Sequence, residues 1–166
     1  MTSFIRGAAT AALIMAIAAS IAACSSTKGS PPVDVKQASE QMQSLVRDTM
    51  NVARGQWTST SNGPSADPCT TPDGDEGVWF SWDHDADGVS NPEAVMQRVD
   101  RAWRDHGLAT TTQSVERAGG ETLHRVGSAG HDVDSIQFNA TTGGMSINVQ
   151  SLCGAGDFDD FVNEGG

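Results

Sequence analysis

Between residues 34 and 54, Val35, Ala38, Met42, Leu45, Thr49 and Val52 recur at spacings of three and four. That spacing is one face of a helix, and Gly55 marks its end. A second helical stripe follows at Val95, Val99, Ala102 and Trp103. Asn91 or Ser90 suits its N-cap, Pro92 its first turn and Glu93 the positive end of its dipole. Gly107 stops it.

Elsewhere the period falls to two. Residues 77–82 read as a dense aromatic strand around Val78, Trp79, Phe80 and Trp82. Strands over 110–117 and 121–126 flank Gly119-Gly120, a hairpin signal. Ile136 and Phe138 share one face of a strand near 132–139. Thr142-Gly143-Gly144 turns into Met145, Ile147 and Val149, which alternate with Ser146, Asn148 and Gln150. Residues 59–76, rich in Ser, Gly, Pro, Asp and Thr, read as a long surface loop. The order is helix, one or two strands, helix, then about four strands in a meander. It predicts an α+β two-layer sandwich, with two helices on one face of a mainly antiparallel sheet. One domain over 34–156 carries this pattern. Residues 157–166 form an acidic tail in which Phe158 and Phe161 could dock on the core.

The first residues follow another logic. Arg6 is the one charge before an apolar run over 8–21, too short to span a membrane comfortably as a permanent helix and without a charged stop-transfer flank. Then comes Ile21-Ala22-Ala23-Cys24 and a polar Ser/Pro-rich stretch to residue 33. This resembles the lipobox of bacterial lipoproteins, with Ile21 where Leu is commoner. The resemblance implies a signal peptide over 1–23, cleavage between Ala23 and Cys24, and diacylglyceryl transfer to the Cys24 thiol. It also implies a flexible tether over 24–33 and an extracytoplasmic domain held on the cell membrane. Two or three acyl chains give stable anchoring where one gives only marginal binding. Ser25 to Lys28 matches the S-x-x-K pattern of penicillin-recognising enzymes, but it lies in this tether with no helix and no partner motif.

Composition changes meaning once the leader is set aside. The 166-residue chain has formal net charge −11 and is 37% hydrophobic. Without residues 1–23 it loses only Arg6 among its charges, leaving nine basic against twenty-one acidic residues and a hydrophobic share of about 31%. Val, Ile, Leu and Phe make up about 16% of that remainder, a share that leans towards disorder; the periodicities lean the other way. The acidic balance argues against nucleic-acid binding.

With Cys24 assigned to lipid, Cys69 and Cys153 remain, and two thiols in an exported chain make one intramolecular bridge. The competing readings are a metal site or a catalytic thiol. Neither cysteine has a Cys or His at ligand spacing, and there is no C-x-x-C motif.

Candidate chemistry is sparse. Asp83, Asp85 and Asp87 with Gly88 copy the opening of a calcium loop. Position twelve is then Ala94 where a bidentate Glu belongs, so a polar turn into the second helix is the competing reading. Trp79 and Trp103 are expected in the core, and Trp57 and Trp82 are candidates for stacking a sugar or peptide. His124 and His131, with Asp132 and Asp134, could meet on neighbouring strands as a zinc site. Asn139-Ala140-Thr141 matches a glycosylation sequon. No G-x-S-x-G, H-E-x-x-H or Walker motif occurs.

The wider chain is similar to small actinobacterial, LppA-like envelope lipoproteins. The carrying features are the lipobox, the Cys69–Cys153 spacing, the strand over 77–82, and Trp103-Arg104-Asp105-His106-Gly107 at a helix end. Eight Arg against two Lys fits a GC-rich genome. That resemblance imports no catalytic residues. The expectation is a lipid-anchored, non-enzymatic envelope protein, with no cofactor, that binds a small ligand or protein partner. The alternatives are an envelope hydrolase with an unrecognised site and a calcium module at Asp83, Asp85 and Asp87.

Overall fold

A computed structural model describes residues 33–161. The leader, Ala23, Cys24, most of the tether, and residues 162–166 of the tail lie outside the described residues. The elements are α1 (Val35–Ala53), β1 (Trp57–Ser59), β2 (Ser65–Thr70), β3 (Glu76–Asp87) and α2 (Pro92–Asp105). They continue with β4 (Thr110–Glu116), β5 (Thr122–Gly130), β6 (Val133–Ala140), β7 (Gly144–Ser151) and β8 (Gly154–Ala155), ending in a 3₁₀ turn (Phe158–Asp160).

The helix ends follow the sequence signals. The Asp34 carboxylate accepts from the Gln37 amide at α1, and the Asn91 side chain from the Ala94 amide at α2. The eight strands form one sheet ordered β1-β3-β7-β6-β5-β4, with β2 and β8 added on β3. Every pairing between strands is antiparallel. The twelve-residue β3 organises one end of this sheet. On one edge it pairs with β2 and then β1, and on the other with β8 and then β7.

Both helices lie on one face. Met42, Leu45 and Val46 of α1 join Val95, Val99 and Trp103 of α2 over Val78, Phe80, Val126, Ile136, Phe138, Ile147 and Val149. The expected two-layer α+β sandwich is therefore present. The opposite sheet face is polar. Across it Arg125 Nε donates to Asn139 Oδ1 at 2.8 Å, Asn139 Nδ2 to Ser146 Oγ at 3.1 Å, and Asn148 Nδ2 to Asp83 Oδ1 at 2.9 Å. The sequon asparagine is thus a rung of a hydrogen-bonded row.

Three expectations need correction. Residues 59–76 are not a structureless loop, because β2 lies within them and pairs from Ser65 to Thr70 along β3. β3 does not stop at Trp82 but runs to Asp87. Trp79 shares the outer face with Ser81 and Asp83, while Trp82 turns inward with Phe80 and His84, so the inward indole of this strand is Trp82. Trp103 is buried as expected, at 1% exposure. Phe158 and Phe161 do dock on the core, and Phe161 meets Phe80 edge-on at 5.7 Å.

Cys69 and Cys153 form the disulfide, with Cα atoms 6.1 Å apart. It reaches from β2 on one side of β3 to the segment before β8 on the other, crossing at Gly77. A Cβ on Gly77 would lie 2.8 Å from Cys153 Sγ and 2.6 Å from the Gly154 carbonyl oxygen.

Candidate functional site

On the helix side of β3, inward residues alternate as Trp82, His84 and Ala86, and β1 adds Trp57 opposite Ala86 and Ser59 opposite His84. Facing them, Gln43, Val46, Arg47 and Met50 stand at helical spacing along α1. Between the two walls lies a cleft of about 410 Å³. It exists because α1 leans on β3, β7 and β8 and leaves the β1 end of the sheet uncovered.

The cleft joins apolar surface to a few polar atoms. Trp82 Nε1 donates to Ser59 Oγ at 2.7 Å, which ties β1 to β3 at the floor. The His84 ring stands edge-on to the Trp82 indole, with centroids 4.2 Å apart. Trp57 packs towards Phe138, with ring centroids 6.4 Å apart. His84 Nε2 and Trp57 Nε1 are buried and have no hydrogen-bond partner. Burial pushes the His84 pKa below its usual 6.5, opposed by the charges of Asp83 and Asp85 on the other sheet face. Arg47 is exposed at the rim and forms no ion pair among the described residues.

The two tryptophans singled out as ligand candidates, Trp57 and Trp82, therefore line one cleft. His84 and Arg47 were missed. The alternation of Trp82, His84 and Ala86 was the available signal for His84; nothing local to residue 47 pointed to Arg47.

The other candidates are not brought together. Asp83, Asp85 and Asp87 stand in an extended strand, on one face, with successive Cα atoms about 7 Å apart. A calcium loop instead curls so that its carboxylates converge. Among the described residues no group of three His, Cys, Asp or Glu side chains is placed to hold a metal ion. Gly88 has a different role: a Cβ there would collide with the Thr142 carbonyl, and next to it the Val89 amide donates to the Thr141 carbonyl oxygen at 3.2 Å. His124 Nδ1 lies 3.0 Å from Ser114 Oγ. His131 Nδ1 lies 3.1 Å from Asp132 Oδ2, but both side chains are about half exposed on the β5–β6 turn, and neither lines the cleft between α1 and β3.

A second, more polar cleft of about 350 Å³ opens on the outer face near Arg125, Asn139 and Ser146. At its rim Glu121 accepts from Thr142 Oγ1 and the Gly143 amide, each at 3.0 Å. The bonds from Thr142, Thr141 and Gly143 hold its pKa below the ordinary carboxylate value. The ionised group clips the β4–β5 hairpin to the β6–β7 turn.

No family model matches this chain, and no curated protein matches it. Among solved structures it is similar to the crystal structure of a DUF4853 family protein from Actinomyces odontolyticus, with a TM-score of 0.51 and 13% identity. The match covers 80% of this chain and 76% of that one, and at this identity it speaks to the fold alone. No helix of the described residues is long and apolar enough to cross a membrane.

Proposed function

We propose that this chain is a lipid-anchored protein of the extracytoplasmic envelope that binds a small amphipathic ligand in the cleft between α1 and the β1–β3 end of the sheet. The observation that carries the reading is the convergence of Trp57, Trp82 and His84 opposite Arg47 in one open cleft. Two indoles suit a flat, partly apolar ring, such as a sugar or an aromatic group. Arg47, a cation on a chain of net charge −11, suits a polar or anionic substituent at the rim. Binding pockets take this form, with apolar walls and a few polar groups that fix orientation.

Anchoring rests on Ile21-Ala22-Ala23-Cys24, with Cys24 carrying the lipid and residues 24–33 as the tether. Binding is favoured over catalysis by where the histidines stand. His84 faces an indole, His106 is exposed at the C-cap of α2, His124 meets Ser114 on the exposed surface of the β4–β5 hairpin, and the His131–Asp132 pair lies on an exposed turn.

The test is tryptophan emission of the purified protein, titrated with soluble envelope glycan fragments and with aromatic carboxylates. A saturable change with one class, lost in Trp82→Ala and weakened in Arg47→Ala, is the expected result. No change with either class, together with no partner recovered by the acylated protein from envelope fractions, would defeat the reading. The anchor is tested separately, since Cys24→Ala should move the protein out of the membrane fraction.

A further inference from the structure

The two ends of the sheet are unequally protected. At one end β1 is three residues long, and β2 carries Asp67, Pro68 and the Cys69 bridge. Pro68 has no N–H to offer a new strand. At the other end β4 runs seven residues, Thr-Thr-Thr-Gln-Ser-Val-Glu, without Gly, Pro or a basic residue. Six of the seven are exposed. Its inner edge pairs with β5 from Thr110 to Glu116 without a bulge, so the backbone groups of its outer edge run in an unbroken row. Val115, on this strand, is the exposed large hydrophobic residue among the described residues, at 39%. A long, regular edge whose one charged residue is the terminal Glu116 is a template for strand addition, and proteins ordinarily blunt such edges with Lys, Pro or bulges.

We infer that β4 pairs with β4 of a second copy of this chain, antiparallel about a two-fold axis at Gln113. In that register Thr112 stands opposite Ser114 of the other copy, Thr111 opposite Val115, and Glu116 opposite Thr110. The last pair supplies the charge complement. Arg104 Nε donates to Thr110 Oγ1 at 2.8 Å, and its side chain, bridged to Asp100, is still 59% exposed. Each Glu116 carboxylate therefore arrives beside a guanidinium of the other copy. The pairing uses the same patch twice and consumes the open edge, and the guarded opposite end blocks further addition. The product is a closed dimer, not a filament. One strand pair is a small interface, so the dimer is weak, in the high-micromolar range. This inference stands independently of the cleft.

The test is analytical ultracentrifugation of the chain from residue 24 with Cys24→Ser, from about 10 µM to about 1 mM. A monomer–dimer equilibrium is expected. Positions 111 and 115 are exposed, so charged substitutions there leave the fold intact. Thr111→Lys with Val115→Lys sets like charges opposite each other and weakens the dimer by about fivefold or more. Thr111→Lys with Val115→Glu sets opposite charges together and tightens it by a similar factor. A monomer at every concentration would overturn the inference, as would a dimer that both variants weaken alike or neither changes. A wild-type monomer that adds an extended peptide of another protein along β4 would overturn it too.

Discussion

The Trp103 indole N–H donates to Thr49 Oγ1 at 2.9 Å, and that hydroxyl donates onward to the Leu45 carbonyl at 2.7 Å. Both residues are almost wholly buried, at 1% and 2% exposure. The pair is a buried polar link between α2 and α1, beside the longer bond from Arg98 to the Ala53 carbonyl at 3.5 Å. Thr49→Val keeps the shape and removes the acceptor, leaving a buried N–H unsatisfied. It should cost about 1–3 kcal/mol, read from urea unfolding. Thr49→Ser keeps the hydroxyl and should lose less.

The Cys69–Cys153 bridge closes a loop with a sequence separation of 84. The lean core gives it weight. Replacing both cysteines by serine should lower stability by about 3–5 kcal/mol, with the β2 end of the sheet loosening first under hydrogen exchange. Thiol labelling of the denatured, unreduced protein should find neither Cys69 nor Cys153 reactive. Labelling of both would remove the bridge from the account.

What was legible in the sequence divides along a physical line. Both helices, the inward rows of β6 and β7, and the disulfide partners rest on local periodicity, capping residues and cysteine count. β2 was invisible because an edge strand with Ser65, Asp67, Pro68 and Thr70 buries little on either face, so it carries no apolar alternation. The continuation of β3 was masked by Asp83, Asp85 and Asp87, which look like a turn but are the outward half of a strand whose inward half is Trp82, His84 and Ala86. The error over Trp79 follows from the same strand, since parity showed that Trp79 and Trp82 oppose each other but not which faced the helices. The cleft escaped because Arg47 and Trp82 meet only through the packing of α1 on the sheet.

Gly88 shows what the Asp-rich stretch is for. A Cβ there meets the Thr142 carbonyl and lies 2.7 Å from the Gly143 carbonyl carbon, both of them backbone that cannot swing aside. Gly88→Ala should destabilise the protein by about 1–3 kcal/mol. Gly63→Ala, where a Cβ meets nothing within 4 Å, is the control and should be close to neutral. Addition of calcium should not rescue Gly88→Ala if the glycine serves close packing; a calcium-dependent recovery of its melting temperature would restore the metal reading.

His84 sets a pH dependence whose sign is fixed by its burial. Its folded pKa lies below 6.5 because burial disfavours the charged ring, an effect that Asp83 and Asp85 reduce but do not reverse. The unfolded chain therefore takes up this proton first as pH falls. The contribution from keeping His84 neutral is full above about pH 6.5 and declines as pH drops through that value towards the folded pKa. Wild type should lose melting temperature between about pH 7.5 and about pH 5 more steeply than His84→Gln, which carries the same carboxylate background without the titrating ring. Parallel curves for the two proteins would show that His84 is protonated as readily in the fold as out of it. The same ring stands against Trp82, so acidification should change Trp82 emission in wild type over this window, and His84→Gln should abolish that change.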